Sequence, residues 1–308
     1  MHDPLIFPLG AKLRLRVEVF GGLTVFGASG DQLSIAGSCR PILGYLLTHR
    51  RRRISRTELA ETLWAEHDGN HARRCLSTAL WRLKKSTGTG MPLLNFHGAE
   101  EVSFNWDPAW VDSVALELRV EPMLRVKPAM MKPKEIGRLQ RGVRLYRGDY
   151  LVGIDHEWAW LERQRLRNLY LDGLYHLTLA YAARSDWHLV LEWGRRLNRE
   201  EPLREDVHRL LMRAHAFAGN RALAIAQYQL CRGVLQADLG VEPMPETQEL
   251  YRSLVSAEAS RPAPPVQSPQ ASARRRIVRI RQALASSQKQ LDQVLESLPN
   301  PHSSKSDG

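Results

Sequence analysis

The sequence predicts a mainly α chain: an N-terminal winged helix-turn-helix of mixed α and β structure, followed by an all-α, tetratricopeptide-like (TPR-like) helical repeat domain. Three observations carry this. Hydrophobic periodicity changes from that of strands to that of helices near residue 40. A capped helix, a basic helix and a hairpin pattern then follow in order, and residues 179–197 lie over 213–231 at a spacing of 34.

The stretch "LRLRVEVFGGLTVFGASGDQLSI" (13–35) alternates short apolar runs with Gly-Gly and Ser-Gly-Asp breaks, the pattern of a small antiparallel sheet. "PILGYLLTH" (41–49) supplies Ile42, Leu43, Leu46 and Leu47 at helical spacing. Ser55-Arg-Thr-Glu58 is a capping box, so a second helix starts near residue 56 with Leu59, Leu63 and Trp64 as its apolar stripe. The polar loop "AEHDGNH" (65–71) leads into "ARRCLSTALWRLKK" (72–85), whose expected cap is Asn70 or His71. On this third helix Leu76, Ala79, Leu80 and Leu83 share one side. Arg74, Ser77, Thr78, Trp81 and Lys85 therefore point outward, with Arg73, Lys84 and Arg82 at the edges. "PLLNFHGAEEVSFNW" (92–106) reads as a hairpin around His-Gly-Ala-Glu. These elements place a winged-helix domain at 13–110.

Residues 111–135 hold three prolines and several basic residues and read as a linker or boundary region. From 136 to 257 the pattern is helical. The internal match pairs Ala180 with Ala214, Ala182 with Ala216, Asp186 with Asn220, Leu189 with Leu223 and Leu191 with Ile225. Small residues on the first helix and Asp or Asn before the second are the signature of a TPR-like stack, with flanking helices at 158–177 and 245–257 completing it. A Pro/Ser/Ala linker (258–273) and an amphipathic helix (274–298) follow. In that helix Ile277, Leu284, Leu291 and Leu298 recur every seven residues around Ser287, which suits a short coiled coil, docking onto the body, or a basic tail on DNA.

Charge is segregated along the 308 residues, whose formal net charge is +11. Residues 38–85 carry 11 Lys and Arg against 4 Asp and Glu, whereas 147–260 carry 14 against 16. The first segment is built for a polyanion and the second is not. Three cysteines without a CxxC pair exclude a disulfide framework and a zinc ribbon. No signal segment or run of 18 apolar residues is visible, so a cytoplasmic location and no membrane partner are expected.

The cationic, hydroxyl and aromatic face of 72–85 fits the major groove of double-stranded DNA, where Arg can pair with guanine and aromatic surface can meet thymine methyls. Arg74, Ser77, Thr78, Trp81, Arg82 and Lys85 are the expected base or groove contacts. Arg50, Arg51, Arg52, Arg53, Arg56, Arg73 and Lys84 are the expected phosphate contacts. His67, Asp68 and His71 lack a further metal ligand, and no P-loop or nucleophile motif is present. No enzyme activity, metal or cofactor is therefore expected. Trp158, Trp160, Trp187 and Trp193 sit at helical spacing and read as core. Two rivals remain: a TPR-like adaptor whose basic domain binds acidic protein or RNA, and a metal-dependent hydrolase around His67 and His71.

"VFGGLTVFG", "LLTHRRRRISRTELAETLW" and "ARRCLSTALWRLKK" resemble the OmpR-type winged-helix domain of antibiotic-regulatory (SARP-type) transcriptional activators. Leu-Tyr-Arg-Gly-Asp (145–149), Glu-Pro-Leu-Arg-Glu-Asp (201–206) and Leu-Gly-Val-Glu-Pro (239–243) resemble, in order, the bacterial transcriptional activator domain paired with it. The resemblance covers about 13–255 and implies that 72–85 is the recognition helix. It also implies that "LWAEHDGNH" (63–71) lies where related effectors meet the RNA polymerase holoenzyme, and that the helical domain serves dimerisation, signal reception or polymerase contact. Glu100 and Glu101 at the hairpin tip depart from the pattern, because they would repel phosphate in the minor groove. No receiver precedes residue 13 and no ATPase module follows 260, so control by phosphorylation or ATP within this chain is not expected.

Overall fold

The N-terminal elements follow from alternating burial. β1 (Leu15–Glu18), β2 (Thr24–Phe26) and β3 (Gln32–Leu33) form an antiparallel meander in which Leu15, Val17 and Val25 face the core. The coordinates are a computed structural model that describes residues 15–50, 52–86, 92–106 and 109–259. α1 (Arg40–Thr48) buries Ile42, Leu43, Leu46 and Leu47. β4 (Ile54–Ser55) leads into α2 (Arg56–Leu63), where the Ser55 hydroxyl accepts from the Glu58 amide at 3.0 Å. Ser55→Ala removes that cap and is expected to cost about 1 kcal/mol in urea unfolding; an unchanged midpoint would show that water replaces the hydroxyl. α3 (Gly69–Ser86) and the hairpin of β5 (Leu94–His97) and β6 (Glu101–Phe104) follow. β4 joins this hairpin in the order β4-β6-β5. Gly98 closes its turn at φ +67°, where a side chain would be strained.

β7 (Ala109–Val111) then returns to the first sheet and pairs in parallel with β1, giving the order β3-β2-β1-β7. The parallel edge was not expected from local patterning. The segment 111–135, expected as a linker or boundary, is instead folded: it holds α4 (Asp112–Leu124) and a short 3-10 turn at Pro128–Met130. Two of its three prolines explain the misreading. Pro122 lies within the last turn of α4, and Pro133 is the first residue of α5 (Pro133–Val143), where its fixed φ favours a helix start.

α6 (Glu157–Ala182), α7 (Trp187–Glu200), α8 (Glu205–Phe217), α9 (Arg221–Leu239) and α10 (Pro245–Ala259) complete the helical half. Ala180 and Ala214, matched at 34 residues, are both fully buried. Asp186 and Asn220 do occupy the N-cap positions of α7 and α9, but neither side chain makes a cap hydrogen bond. The preceding residues, Ser185 and Gly219, also match at 34 and both adopt positive φ, so the turn itself repeats. The first two residues of the linker expected at 258–273 belong instead to α10, and the rest of it and the helix expected at 274–298 lie outside the described residues. No helix among the described residues is long and apolar enough to cross a membrane.

The described residues up to Tyr251 form one unit, joined by the 145–154 segment. The Leu151 amide donates to the Val19 carbonyl at 2.8 Å and the Gly21 amide to the Asp149 carbonyl at 2.9 Å. Gly44 on α1 lets this segment approach: a Cβ there would stand 2.8 Å from a Leu151 methyl. Asp112, fully buried at the start of α4, accepts from the Val19, Phe20 and Ser113 amides. Burial outweighs these donors and pushes its carboxyl up to about 6. A folded-state value above the unfolded one stabilises the chain at low pH and is lost as pH rises through about 6. The unfolding free energy of the wild type relative to Asp112→Asn is therefore expected to fall by about 2 kcal/mol from pH 4 to pH 7. A flat difference across that range would return Asp112 to an ordinary carboxylate.

Candidate nucleic-acid interface

α3 presents two chemically opposite faces. Ala72, Leu76, Ala79, Leu80 and Leu83 are buried, and the Cys39 thiol donates to the Ala79 carbonyl from behind. Arg73, Arg74, Ser77, Thr78, Trp81, Arg82, Lys84 and Lys85 are all exposed. Among the described residues none of the five cations makes an ion pair. Trp81 is 60% exposed, with the Lys85 ammonium 5.2 Å above its ring. At about 27 Å long, the helix could follow a groove for several base pairs.

The helix begins three residues earlier than its basic stretch, and its cap is Asp68 rather than Asn70 or His71. The Asp68 carboxylate accepts from the His71 amide at 2.7 Å. Spending Asp68 on the cap takes it away from the histidines, whose rings stack at 4.8 Å. An acid at the N-terminus also complements the helix dipole.

The arginines before β4 divide. Arg50 turns away from the α3 face and donates to the buried carboxylate of Glu117 on α4, which also accepts from Arg165 on α6. The expected phosphate role of Arg50 is thus corrected, because its charge is engaged inside the fold. Arg52 is exposed and forks onto Glu58 at 2.6 and 3.1 Å. Arg53 is exposed and stands 3.9 Å from Glu101. That contact meets one of the two wing charges expected to repel phosphate. Arg51 lies outside the described residues. Arg56 is partly buried, its guanidinium 5.9 Å from the Phe96 ring.

Phe96, on β5, was absent from the expected set. It is 39% exposed and forms, with Trp81, Leu80, Lys84 and Arg56, a cleft of about 390 Å3 between α3 and the hairpin. Its signal in the sequence was an aromatic on the solvent side of a strand. In the helical half Trp193 is buried as expected, and Trp187 stacks on Phe217 at 4.5 Å. Trp160 departs from the core expectation and is 54% exposed.

A family model described as bacterial transcriptional activator domain matches residues 111–255. Residues 111–255 belong to the bacterial transcriptional activator domain family. The domain thus includes α4, in the segment expected as a linker. Regulatory protein AfsR of Streptomyces coelicolor is 28% identical over 223 residues, 71% of this chain and 22% of the relative. Regulatory protein AfsR of Streptomyces griseus is 27% identical over 257 residues, 81% of this chain and 26% of the relative. The chain therefore spans about a quarter of the length of these curated relatives. A solved structure, Mycobacterium tuberculosis EmbR in complex with low affinity phosphopeptide, shares the fold with TM-score 0.63 at 20% identity. That match covers 79% of this chain and 65% of the other. The activator domain and these regulatory relatives agree with the SARP-type resemblance read from the motifs.

Proposed function

We propose that this chain is a sequence-specific DNA-binding transcriptional regulator of the activator type. The first three helices and hairpin act as an OmpR-type winged helix, with α3 in the major groove of double-stranded DNA. The activator domain provides contacts for homodimerisation, signal reception or the RNA polymerase holoenzyme. Such a regulator acts in the cytoplasm and is not an enzyme. The regulatory names of the relatives support the class.

One observation carries the reading: five unpaired cations share the exposed face of a helix whose opposite face is buried leucine and alanine. A solvated surface helix ordinarily intersperses acids among its bases, and α3 has none. Base readers and phosphate contacts separate by experiment. Arg74→Ala or Arg82→Ala is expected to cost about 1–3 kcal/mol on a specific site and to relax preference at one base pair. Fluorescence anisotropy with the preferred duplex, a random duplex and RNA measures this. Equal affinity for all three would instead support the adaptor reading, and unchanged affinity in either variant would remove that arginine from the readout.

A further inference from the structure

The Leu-Tyr-Arg-Gly-Asp stretch at 145–149 has no part in the DNA reading, yet its Tyr146 and Arg147 open onto a pocket of about 360 Å3 in the helical half. The Tyr146 and Tyr170 rings stack 4.2 Å apart beneath it. Arg144, at the end of α5, and Arg196, on α7, line the same pocket. Glu200 also lines the pocket, against three arginines, and like nearby Glu18 it is already engaged. Arg147 pairs with Glu18 at 2.9 Å, and Glu200 pairs with Arg167 at 3.0 Å.

Arg196 is held by neutral acceptors alone. Its Nε donates to the Tyr170 hydroxyl at 2.7 Å and its Nη2 to the Tyr146 carbonyl at 3.0 Å. These bonds fix the guanidinium without compensating its charge. Arg144 lies 5.4 Å from the Trp193 ring and has no carboxylate partner among the described residues. Tyr170 supplies an independent sign. Its side chain is 1% exposed, its oxygen already accepts from Arg196, and its own proton meets no acceptor among the described residues. A buried donor left unmade is costly, and two uncompensated guanidiniums in one pocket repel.

We propose that this pocket binds a phosphoryl-bearing small anion. A phosphoryl group offers three oxygens in a tetrahedral array to three donors from three helices: Arg144, Arg196 and the Tyr170 hydroxyl. A carboxylate offers two coplanar oxygens and leaves one donor unmet. The wall at Gly148 rests on Gly21, since a Cβ on Gly148 would stand 3.3 Å from the Gly21 Cα. An occupant therefore braces the seam between the N-terminal sheet and the activator domain.

Isothermal titration of the full chain with pyrophosphate at constant ionic strength, without DNA, tests the proposal. Saturable one-to-one binding is expected, weakened roughly tenfold or more by Arg144→Ala and by Arg196→Lys. Tyr170→Phe should also weaken it, and Arg213→Ala, exposed on α8, should leave it unchanged. Far-ultraviolet spectra of the variants check that each is folded. Absence of saturable heat, an equal loss in Arg213→Ala, or citrate binding as tightly as pyrophosphate would overturn it. None of these outcomes bears on DNA binding by α3, which the anisotropy experiment tests separately.

Discussion

Leu83→Ala is expected to lower the unfolding free energy by about 2–5 kcal/mol, whereas Arg74→Ala on the opposite face should leave it within about 0.5 kcal/mol. Leu83 is fully buried with Leu76 and Leu80 along the back of α3, so truncation removes apolar contact and leaves a cavity in a face that cannot collapse freely. The Cys39–Ala79 contact pins the same face. Urea unfolding followed by circular dichroism gives both numbers, with an unchanged denaturant slope showing that stability alone has moved. In DNA binding the order should invert: Arg74→Ala loses affinity while folded, and Leu83→Ala loses it only where the chain unfolds. A cost below about 1 kcal/mol for Leu83→Ala would mean that the leucine face is not the anchored one.

Local signals in the sequence were strong where one element decides its own state. The Ser55 cap, the leucine spacing of α3 and the His-Gly-Ala-Glu turn each specify an element within a few residues, and each is where it was expected, although the Glu58 carboxylate of the expected capping box accepts from Tyr45 and Arg52 instead of the Ser55 amide. The 34-residue repeat likewise placed α6 to α9. What stayed hidden depends on partners far along the chain. β7 pairs in parallel with β1 across more than ninety residues, and three residues carry little pattern of their own. α4 buries polar Ser113 and Glu117 on the same stripe as Leu116 and Val120 and leaves Leu118 exposed, so its sequence lacks a clean division into apolar and polar faces. Arg50 stands in a run of four arginines, and nothing in that run distinguishes the one whose acid lies 67 residues on. The anion pocket is hidden for the same reason: Arg144, Tyr170 and Arg196 come from three helices.

Glu117 is the residue on which that concealed arrangement turns, and Glu117→Ala is expected to cost about 3 kcal/mol. Its carboxylate is 4% exposed and accepts from Arg50, just beyond α1, and from Arg165, on α6. Truncation strands the Arg50 guanidinium, which is 21% exposed, beside an apolar hole. Arg165 suffers less because Glu162 still holds it at 2.7 Å. Breaking a buried pair by removing one partner generally costs 3–5 kcal/mol, and the partial exposure of both arginines places this case at the lower end. Glu117→Gln keeps the shape and one acceptor, so it should lie between wild type and alanine. Arg50→Ala tests the same contact from the other side and separates its role from that of α3. It should destabilise the fold while leaving the salt dependence of DNA binding unchanged, because Arg50 neutralises Glu117 rather than a phosphate. Arg73→Ala or Lys84→Ala should do the reverse, keeping stability and making the salt slope shallower by about one. A shallower slope for Arg50→Ala at unchanged stability would restore it to the phosphate-binding set.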